Sequence, residues 1–444
     1  MFKQVSGAIV AAVMMVGLVA GPAEAGPYTP APGATFNNPR GTSAQKNMNI
    51  NKVRQTIDST RSHGVIRIAL YSFNRPDIVQ ALIRACQNRN VAVQMVLNNN
   101  TPSAQSMRMQ RLLGTKITPK YRDACNPRRM PVKKRNRPKH PPYPVPSFFK
   151  FCSGACRLGS DRSNQHMKYF LFSKVGPERK PVVMFGSTNL TGFAAYIHWN
   201  DMFTVVGNKP MFTSYSEIFG QMALDRRVKK PYVVVKNGPY VSEFGAKPGA
   251  TGKRDPVWQR LNKIDCRAPK GYGIKRHTAI RIMQYGWRGF RGRVLARKVA
   301  ELSRAGCRIQ VIASGADGPV RNTLKAAHVQ VRSAAIDLDE DPETGFEETG
   351  WEVFSHEKWM SVNGRWDGQP FRGVFTGSEN WSSVSLYNDE LTVEIPKSSA
   401  HRAYMRHFYL VWNNYTRGRY GPIFPPERAA LSGRWEAGVL SPFE

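Results

Sequence analysis

Apolar residues recur along the chain in an order that predicts a repeated unit of strand, helix and strand. Residues 65–73 are almost continuously apolar, residues 76–88 place apolar side chains at helical spacing, and residues 91–97 are apolar again. The same order returns over residues 278–287, 292–305 and 307–313. An apolar strand followed by a helix and a second strand is typical of a parallel βαβ unit. We therefore predict an α/β fold of two similar α/β sandwich halves related by pseudo-two-fold symmetry.

The ends of the two units repeat as well, which sets the predicted domain boundaries. Residues 200–205 and 388–393 share the pattern Asn-Asp-x-x-Thr-Val, where x is any residue. Proline and glycine cluster before the first unit and between the two units, as they do in linkers. The predicted order is a flexible lead-in, an N-terminal half, a linker and a C-terminal half, over residues 26–43, 44–245, 246–254 and 255–435.

The first 25 residues have the pattern of a secretory signal peptide. Lys3 precedes an apolar run over residues 5–20, and Ala23-Glu24-Ala25 has the small-x-small form of a cleavage site. No later stretch of the sequence reaches the ~18 consecutive apolar residues of a membrane span. We predict that residues 1–25 are removed and that the mature protein is secreted; the alternative is an uncleaved membrane anchor.

Composition and charge narrow the class of partner. The 444 residues are 41% hydrophobic and 22% charged, which is typical of a globular protein and excludes disordered, collagen-like and coiled-coil chains. The chain has 65 lysines and arginines against 31 aspartates and glutamates, for a net charge of +34. Such an excess favours polyanionic partners, namely nucleic acid, anionic lipid or an acidic wall polymer.

Two charged segments interrupt the repeat. Residues 120–139 combine lysines and arginines with prolines and are followed by Phe148, Phe149 and Phe151. We interpret this segment either as a cationic flap that gathers an anionic substrate, with the phenylalanines available for stacking or membrane insertion, or as a solvated insertion. Residues 337–348 are acidic but lack the spacing of a calcium loop, so we interpret them as a solvated loop.

The interpretation of the cysteines depends on the predicted compartment. Six cysteines in a secreted chain predict up to three disulfides. Pairing of Cys125 with Cys152 or Cys156 is attractive because it would close a long surface loop. Cys86 and Cys307 lie at the ends of predicted helices and are alternatively interpreted as buried thiols. A zinc site at Cys152 and Cys156 is the weaker alternative, since no second pair of ligands lies nearby in the sequence.

The residues that carry chemistry form two matching clusters. The first is His166-Met-Lys168 followed by Gly186-Ser-Thr-Asn189, and the second is His356-Glu-Lys358 followed by Gly377-Ser-Glu-Asn380. Because residues i and i+2 of a strand point to the same face, each histidine and its lysine project together. Each cluster then offers an imidazole, an ammonium, a hydroxyl and an amide, which are suited to the oxygens of a phosphoryl group.

These duplicated motifs resemble those of the phospholipase D superfamily, and the resemblance covers nearly the whole mature chain. It implies cleavage of phosphodiesters without a metal or another cofactor, through a phosphohistidine intermediate, with His166 as the nucleophile and His356 as the general acid and base. The physical chemistry agrees, because a neutral imidazole is a competent nucleophile near pH 7 and a protonated one is a competent acid. Stabilisation of the non-bridging oxygens is implied for Lys168, Lys358, Asn189, Asn380, Ser187 and Ser378.

The resemblance also concerns residues that orient the histidines. An acidic residue after the Ser/Asn element usually holds the histidine in this family, which implies Asp201 in the first half and Asp389 or Glu390 in the second. Ser173 and Asn363 depart from the family pattern, since members often carry an aspartate five positions after the lysine. If that aspartate only supports the site, catalysis survives its loss; if the loss marks decay, the protein binds without cleaving.

Our first interpretation of the function is a secreted phospholipase D that hydrolyses glycerophospholipids or transfers them to an alcohol. It would act as a monomer in transient contact with a membrane surface. The candidates for contacts with the interface or the headgroup are Phe148, Phe149, Trp287, Trp351 and Trp381. The alternatives are a secreted nuclease, which the positive charge favours, and a non-catalytic polyanion-binding protein with a degenerate site.

Overall fold

The computed structural model describes residues 27–100, 102–117, 146–159, 163–335 and 353–416. Several sequence predictions fall outside these ranges, namely the signal peptide over 1–25, the charged segments over 120–139 and 337–348, Cys125, Trp351 and the last part of the C-terminal half over 417–435. Within the described ranges, none of the helices has the length and apolar character needed to cross a membrane.

Seven described strands form a mixed sheet in the N-terminal part of the chain. They are β1 (Gly33–Phe36), β2 (Val65–Leu70), β3 (Ala92–Asn98), β4 (Phe148–Cys152), β5 (Tyr169–Val175), β6 (Lys180–Gly186) and β8 (Asp201–Val206). Their order across the sheet is β1-β8-β6-β5-β2-β3-β4. Strands β2, β3 and β4 are parallel to one another, and the other neighbours are antiparallel.

Helices cover this sheet on both faces. They are α1 (Ser43–Lys46), α2 (Met48–Asp58), α3 (Pro76–Arg89), α4 (Ala104–Leu113), α5 (Gly192–Tyr196) and α6 (Lys209–Ala223). Local sequence sets their ends: α3 begins at Pro76, which suits the first position of a helix, and Asn90 ends it in the left-handed conformation. Ser103 caps α4 by accepting a hydrogen bond from the Ser106 backbone N–H at 3.1 Å.

The second sheet has nine described strands. They are β9 (Val233–Asn237), β10 (Tyr240–Phe244), β11 (Ile264–Asp265), β12 (Ala279–Trp287), β13 (Arg308–Ala316), β14 (Gln330–Arg332), β16 (Lys358–Trp366), β17 (Gln369–Gly377) and β18 (Leu391–Ile395). The accompanying helices are α7 (Pro256–Asn262), α8 (Gly289–Arg304), α9 (Gly318–Ala326) and α10 (Ser398–Asn414), with single 3₁₀ turns at Gly252–Arg254 and Val384–Leu386.

The second sheet repeats the strand order of the first. Its order is β14-β13-β12-β16-β17-β18-β10-β9, with β11 on the side of β16. Strand β12 holds the place of β2, and the antiparallel hairpin β16–β17 holds the place of β5–β6. A short parallel pair, β7 (His198–Trp199) with β15 (Phe354–Ser355), joins the two halves. The predicted α/β fold of the phospholipase D type is confirmed.

Helices α6 and α10 lie between the two sheets, where the largest apolar core sits. This core takes side chains from both halves. Tyr169 of β5 contacts Tyr215 of α6 with ring centroids 5.5 Å apart, and Trp359 of β16 contacts Tyr404 of α10 at 5.1 Å. Two further cores lie under the outer helices, one for each sheet. The two halves therefore share one continuous interior, which fixes residues of one half against those of the other.

Two segments lie in parts of the fold other than those predicted. Residues 33–36 were expected in a flexible lead-in, but they form β1, which pairs with β8 along its whole length. Residues 233–244 were expected in the N-terminal half, but strand β10 pairs with β18 and so extends the second sheet. Strand β1 is an edge strand that precedes the first repeated unit, and β10 lies between β18 and the edge strand β9, so the period of the unit could not assign either strand.

The cysteines pair differently from the expectation. Cys152 is bonded to Cys156, and Cys266 is bonded to Cys307. Cys86 is disulfide-bonded as well. The interpretation of Cys86 and Cys307 as free thiols is therefore wrong, and so is the pairing of Cys152 or Cys156 with Cys125. Asp225 lies near Cys152 and Cys156, but disulfide sulfurs do not act as zinc thiolates.

Candidate active site

The two motif histidines lie at the junction between the two halves. His166 precedes β5, and its backbone N–H donates to the carbonyl of Asp389 at 3.0 Å. His356 precedes β16, and its backbone N–H donates to the carbonyl of Trp199 at 3.0 Å. Both histidines are buried. Each histidine is thus anchored by the half to which it does not belong.

The ring contacts of the histidines also cross between the halves. The Nδ1 atom of His166 lies 2.9 Å from both carboxylate oxygens of Glu390. The Nδ1 atom of His356 lies 3.0 Å from the amide oxygen of Asn200. Because both partners are acceptors, each Nδ1 carries the proton in these contacts. The two histidines therefore share one geometry but differ in the charge of the partner.

The motif serines support the partners of the histidines. Ser187 donates to the amide oxygen of Asn200 at 3.0 Å, and Ser378 donates to Glu390 at 2.5 Å. The resemblance implied that these hydroxyls contact a phosphate. The structure instead places their hydrogen bonds one layer behind the imidazoles, where they fix Asn200 and Glu390.

Each lysine is held against a tyrosine that the motif search missed. Lys168 donates to the carbonyl of His166 at 2.9 Å and lies 5.5 Å from the ring of Tyr71. Lys358 donates to the carbonyl of His356 at 2.6 Å and lies 4.8 Å from the ring of Tyr285. Tyr71 directly follows β2 and Tyr285 lies near the end of the equivalent strand β12, in the sequences Arg-Ile-Ala-Leu-Tyr and Arg-Ile-Met-Gln-Tyr. That alignment was the signal that would have found them.

The motif asparagines hold the ends of these same strands. Asn189 accepts a hydrogen bond from the backbone N–H of Ser72 at 3.4 Å, and Asn380 accepts one from Gly286 at 3.1 Å. Each asparagine thus fixes the peptide group that joins the tyrosine to the next residue. The structure thus brings together histidine, lysine, asparagine and tyrosine in each half.

Known proteins resemble this chain in sequence over residues 53–223 and in fold over most of its length. The family model for the PLD-like domain of cardiolipin synthase matches residues 53–223, a range that holds His166, Lys168 and Asn189. Phosphatidylserine synthase from Haemophilus influenzae Rd KW20 is similar in structure over 90% of this chain and 92% of its own, with a TM-score of 0.53 and 12% sequence identity. Residues 53–223 therefore match a PLD-like domain, and the chain as a whole has the fold expected from its resemblance to the phospholipase D superfamily.

Other solved structures of the superfamily match less closely. Polyphosphate kinase from Porphyromonas gingivalis is similar over 91% of this chain, with a TM-score of 0.49 and 13% identity, and this chain spans 53% of that kinase. Nuc from Salmonella typhimurium, a phospholipase D family member, matches 41% of this chain and 99% of its own at a TM-score of 0.28 and 14% identity. No curated protein matches the chain in sequence. Members of the superfamily process phosphodiesters. A resemblance to them does not specify the substrate.

Two of the residues expected to orient the histidines have other hydrogen-bond partners in the structure. The carboxylate of Asp201 accepts hydrogen bonds from Thr376, from Tyr404 at 2.7 Å and from the Ser187 N–H at 3.2 Å. Burial, with the nearby charge of Glu357, raises its pKa. The preceding residue, Asn200, contacts the imidazole of His356 instead.

Asp389 is the second correction. Its carboxylate accepts a hydrogen bond from the backbone N–H of Arg157 at 3.2 Å, and burial raises its pKa to about 7. The following residue, Glu390, makes the contact with His166. The reason is the strand register: Met202 pairs with Gly186, whereas Thr392 pairs with Gly377. Asn200 and Glu390 each lie two residues before these pairs, so the shared Asn-Asp pattern is displaced by two residues between the halves.

The departures from the phospholipase D pattern have a structural role. The hydroxyl of Ser173 accepts a hydrogen bond from the Val65 N–H at 2.8 Å, and the side-chain oxygen of Asn363 accepts one from the Gly273 N–H at 3.2 Å. Each lies five residues along its strand from the motif lysine, which is about 17 Å. Neither replacement therefore removes a group that touches the histidines.

The aromatic residues expected at an interface are buried. Phe148, Phe149, Trp287 and Trp381 all lie in the apolar cores. In the described part of the chain five other aromatic side chains are exposed, and four of them follow strands that carry the site: Phe193, Tyr196, Phe290 and Tyr387. Phe193 and Tyr196 lie on α5, directly after the first Gly-Ser-x-Asn motif, and Tyr387 follows the second. We name these four residues the exposed aromatic rim; the sequence analysis selected none of them.

Proposed function

We propose that the protein is a secreted phosphodiesterase of the phospholipase D type, which hydrolyses glycerophospholipids or transfers them to an alcohol. The observation that carries the proposal is the crossed pairing of His166 with Glu390 and of His356 with Asn200. Two imidazoles with equal geometry and unequal partners are suited to divide the roles of nucleophile and acid.

His166 is the nucleophile in this proposal. Its Nε2 attacks phosphorus, the Nε2–P bond forms, and the bond from phosphorus to the leaving oxygen breaks. The ring becomes positively charged in the resulting phosphohistidine, and the carboxylate of Glu390 stabilises that charge through the Nδ1 proton. An amide oxygen cannot do this as well, which favours His166 over His356 for the covalent step.

His356 is the general acid and base. It gives its Nε2 proton to the leaving oxygen in the first step and takes a proton from water or an alcohol in the second, when that oxygen attacks phosphorus and His166 leaves. Asn200 orients the ring without adding charge, so the proton is transferred more readily than from a carboxylate-bound imidazole. Lys168, Lys358, Asn189 and Asn380 stabilise the charge on the non-bridging oxygens.

The exposed aromatic rim supports a phospholipid as substrate. Phe193, Tyr196, Phe290 and Tyr387 are side chains of the kind that insert at membrane interfaces. The matching family model is named for cardiolipin synthase, which also favours a lipid phosphodiester. A nuclease is the second candidate, because a net charge of +34 suits a polyphosphate backbone and adds little for a zwitterionic lipid.

Turnover of three substrates tests the proposal. Purified protein is assayed with a chelator present on phosphatidylcholine, on an anionic phospholipid and on single-stranded DNA, beside the His166→Ala His356→Ala double variant. We expect turnover of phospholipid that the double variant lacks. Preference for DNA would establish the nuclease instead. Equal inactivity of both proteins, with DNA binding at low salt, would replace the enzyme by a polyanion-binding protein.

A further inference from the structure

The surroundings of the two site histidines differ in a way that their motifs do not show. The ring of His198 stacks on the ring of His356, with centroids 4.8 Å apart and planes 23° from parallel. Tyr285 lies on His356 as well, at 5.0 Å. His356 thus contacts two aromatic rings. His166 has Tyr71 at 5.4 Å in an edge-on contact.

The equivalent of His198 in the other half is not aromatic. His198 lies two residues before Asn200, and Asn388 lies two residues before Glu390. Asn388 donates to Glu390 at 3.3 Å and accepts from the backbone N–H of Asn164 at 2.9 Å. The second half therefore supports the carboxylate partner of His166 with an amide, whereas the first half places a second imidazole against His356 itself.

His198 lies on one strand of a short pair, and His356 directly follows the other. Strand β7 pairs with β15, and the register sets His198 opposite Phe354, two residues before His356. The ring of His198 also packs on Phe354 at 4.5 Å, and its carbonyl accepts a hydrogen bond from the side chain of Asn37 at 2.8 Å. His198 is 2% exposed. The ring of His198 is therefore held in place relative to the ring of His356.

We propose that His198 is a positioning residue for His356, and that its ring holds the imidazole in the plane that general acid catalysis requires. The inference rests on the proposed function, in which His356 gives a proton to the leaving oxygen. A flat neighbour restricts rotation of His356 about χ2, so its Nδ1–H stays on Asn200 and its Nε2 stays aimed at the leaving group. The nitrogens of His198 take no part in the chemistry.

Substitutions that keep or remove the flat ring test this proposal. His198→Phe keeps the ring, and we expect its kcat to stay within about threefold of the unsubstituted protein. His198→Asn, which copies the equivalent position in the other half, and His198→Ala remove the ring. For both we expect kcat to fall at least about tenfold with little change in KM, because the general acid is misaligned.

The leaving group separates a positioning defect from a general loss of structure. A p-nitrophenyl phosphodiester needs no proton for departure of its leaving group, whereas an alkyl phosphodiester does. We expect His198→Ala to lose most of its activity on the alkyl substrate and little on the p-nitrophenyl substrate. His401→Ala, at a buried histidine on α10, serves as the control for loss of a buried imidazole and should affect both substrates equally.

Two results would overturn the proposal. Equal losses on both substrates in His198→Ala would show a structural role only, and a retained rate in His198→Asn together with a lost rate in His198→Phe would show that the ring is not what matters. His356→Ala is measured alongside. If His356→Ala itself left the alkyl substrate unaffected, the proposed function would have failed rather than the role of His198.

Discussion

The Nδ1 atom of His166 and the carboxylate of Glu390 lie 2.9 Å apart although 224 residues separate them in the chain. The contact joins the two halves of the molecule at the candidate active site. A carboxylate in this place stabilises positive charge on the imidazole, which the covalent step creates. Much of the proposed division of roles depends on this contact, and it is open to direct test.

Replacement of Glu390 by glutamine keeps the shape and removes the charge. We expect Glu390→Gln to lower kcat by about 100-fold, because the phosphohistidine loses its counter-charge. Glu394→Gln, four residues further along β18, is the matched control and should keep its rate. Steady-state kinetics on a phosphodiester checks both variants. A rate for Glu390→Gln within twofold of the unsubstituted protein would contradict the role given to this carboxylate.

Replacement of Asn200 by aspartate makes the two histidines alike. The new carboxylate would stabilise the protonated form of His356, so the acid would persist to higher pH. We expect the alkaline limb of the kcat/KM profile of Asn200→Asp to move up by about one pH unit. Asn208→Asp, at the cap of α6, is the control. An unmoved alkaline limb would show that His356 is not the acid.

The buried carboxyl of Asp389 makes a prediction about stability. Burial raises its pKa to about 7 in the folded protein, from 3.8 when exposed. The folded state therefore holds the proton more tightly, and this contribution to stability is lost as pH rises from about 4 to about 7. As pH rises over this range, the free energy of unfolding of Asp389→Asn should increase relative to that of the unsubstituted protein. Above this range the difference should stay constant. Urea unfolding at several pH values measures the difference, and a constant difference would contradict it.

The exposed aromatic rim predicts a contact with lipid. Phe193 and Phe290 are 38% and 57% exposed, so the Phe193→Ala Phe290→Ala double variant should fold normally. We expect it to bind phospholipid vesicles more weakly and to cleave a soluble short-chain phosphodiester at the unchanged rate. Leu410→Ala, at an exposed apolar residue on α10, is the control. Unchanged vesicle binding would remove the rim from the substrate argument.

The sequence predicted the repeated unit and the motif residues because both follow local rules. Strand β2 and helix α3 are apolar at regular spacing, and His166 and Lys168 lie two residues apart directly before β5. The partners of the histidines were harder to predict. We selected Asp201 for its charge, but in the register of β6 with β8 it is Asn200 that contacts His356.

Contacts between the halves explain most of the remaining differences. His198 stacks on His356 only because β7 and β15 pair across the junction, and no pattern within either half shows that pairing. The same holds for β10, which lies between the two units in sequence and joins the second sheet through β18. Long-range register is set by packing of the whole chain, which a single sequence does not display.

A trapping experiment tests the central claim, that His166 carries the phosphoryl group. The His356→Asn variant is mixed with a p-nitrophenyl phosphodiester, quenched, digested and examined by mass spectrometry. Since the leaving group needs no acid and the base for breakdown is absent, the intermediate should accumulate on the peptide that contains His166. The reciprocal His166→Asn variant should form no adduct. An adduct on His356, or none in either variant, would contradict the account.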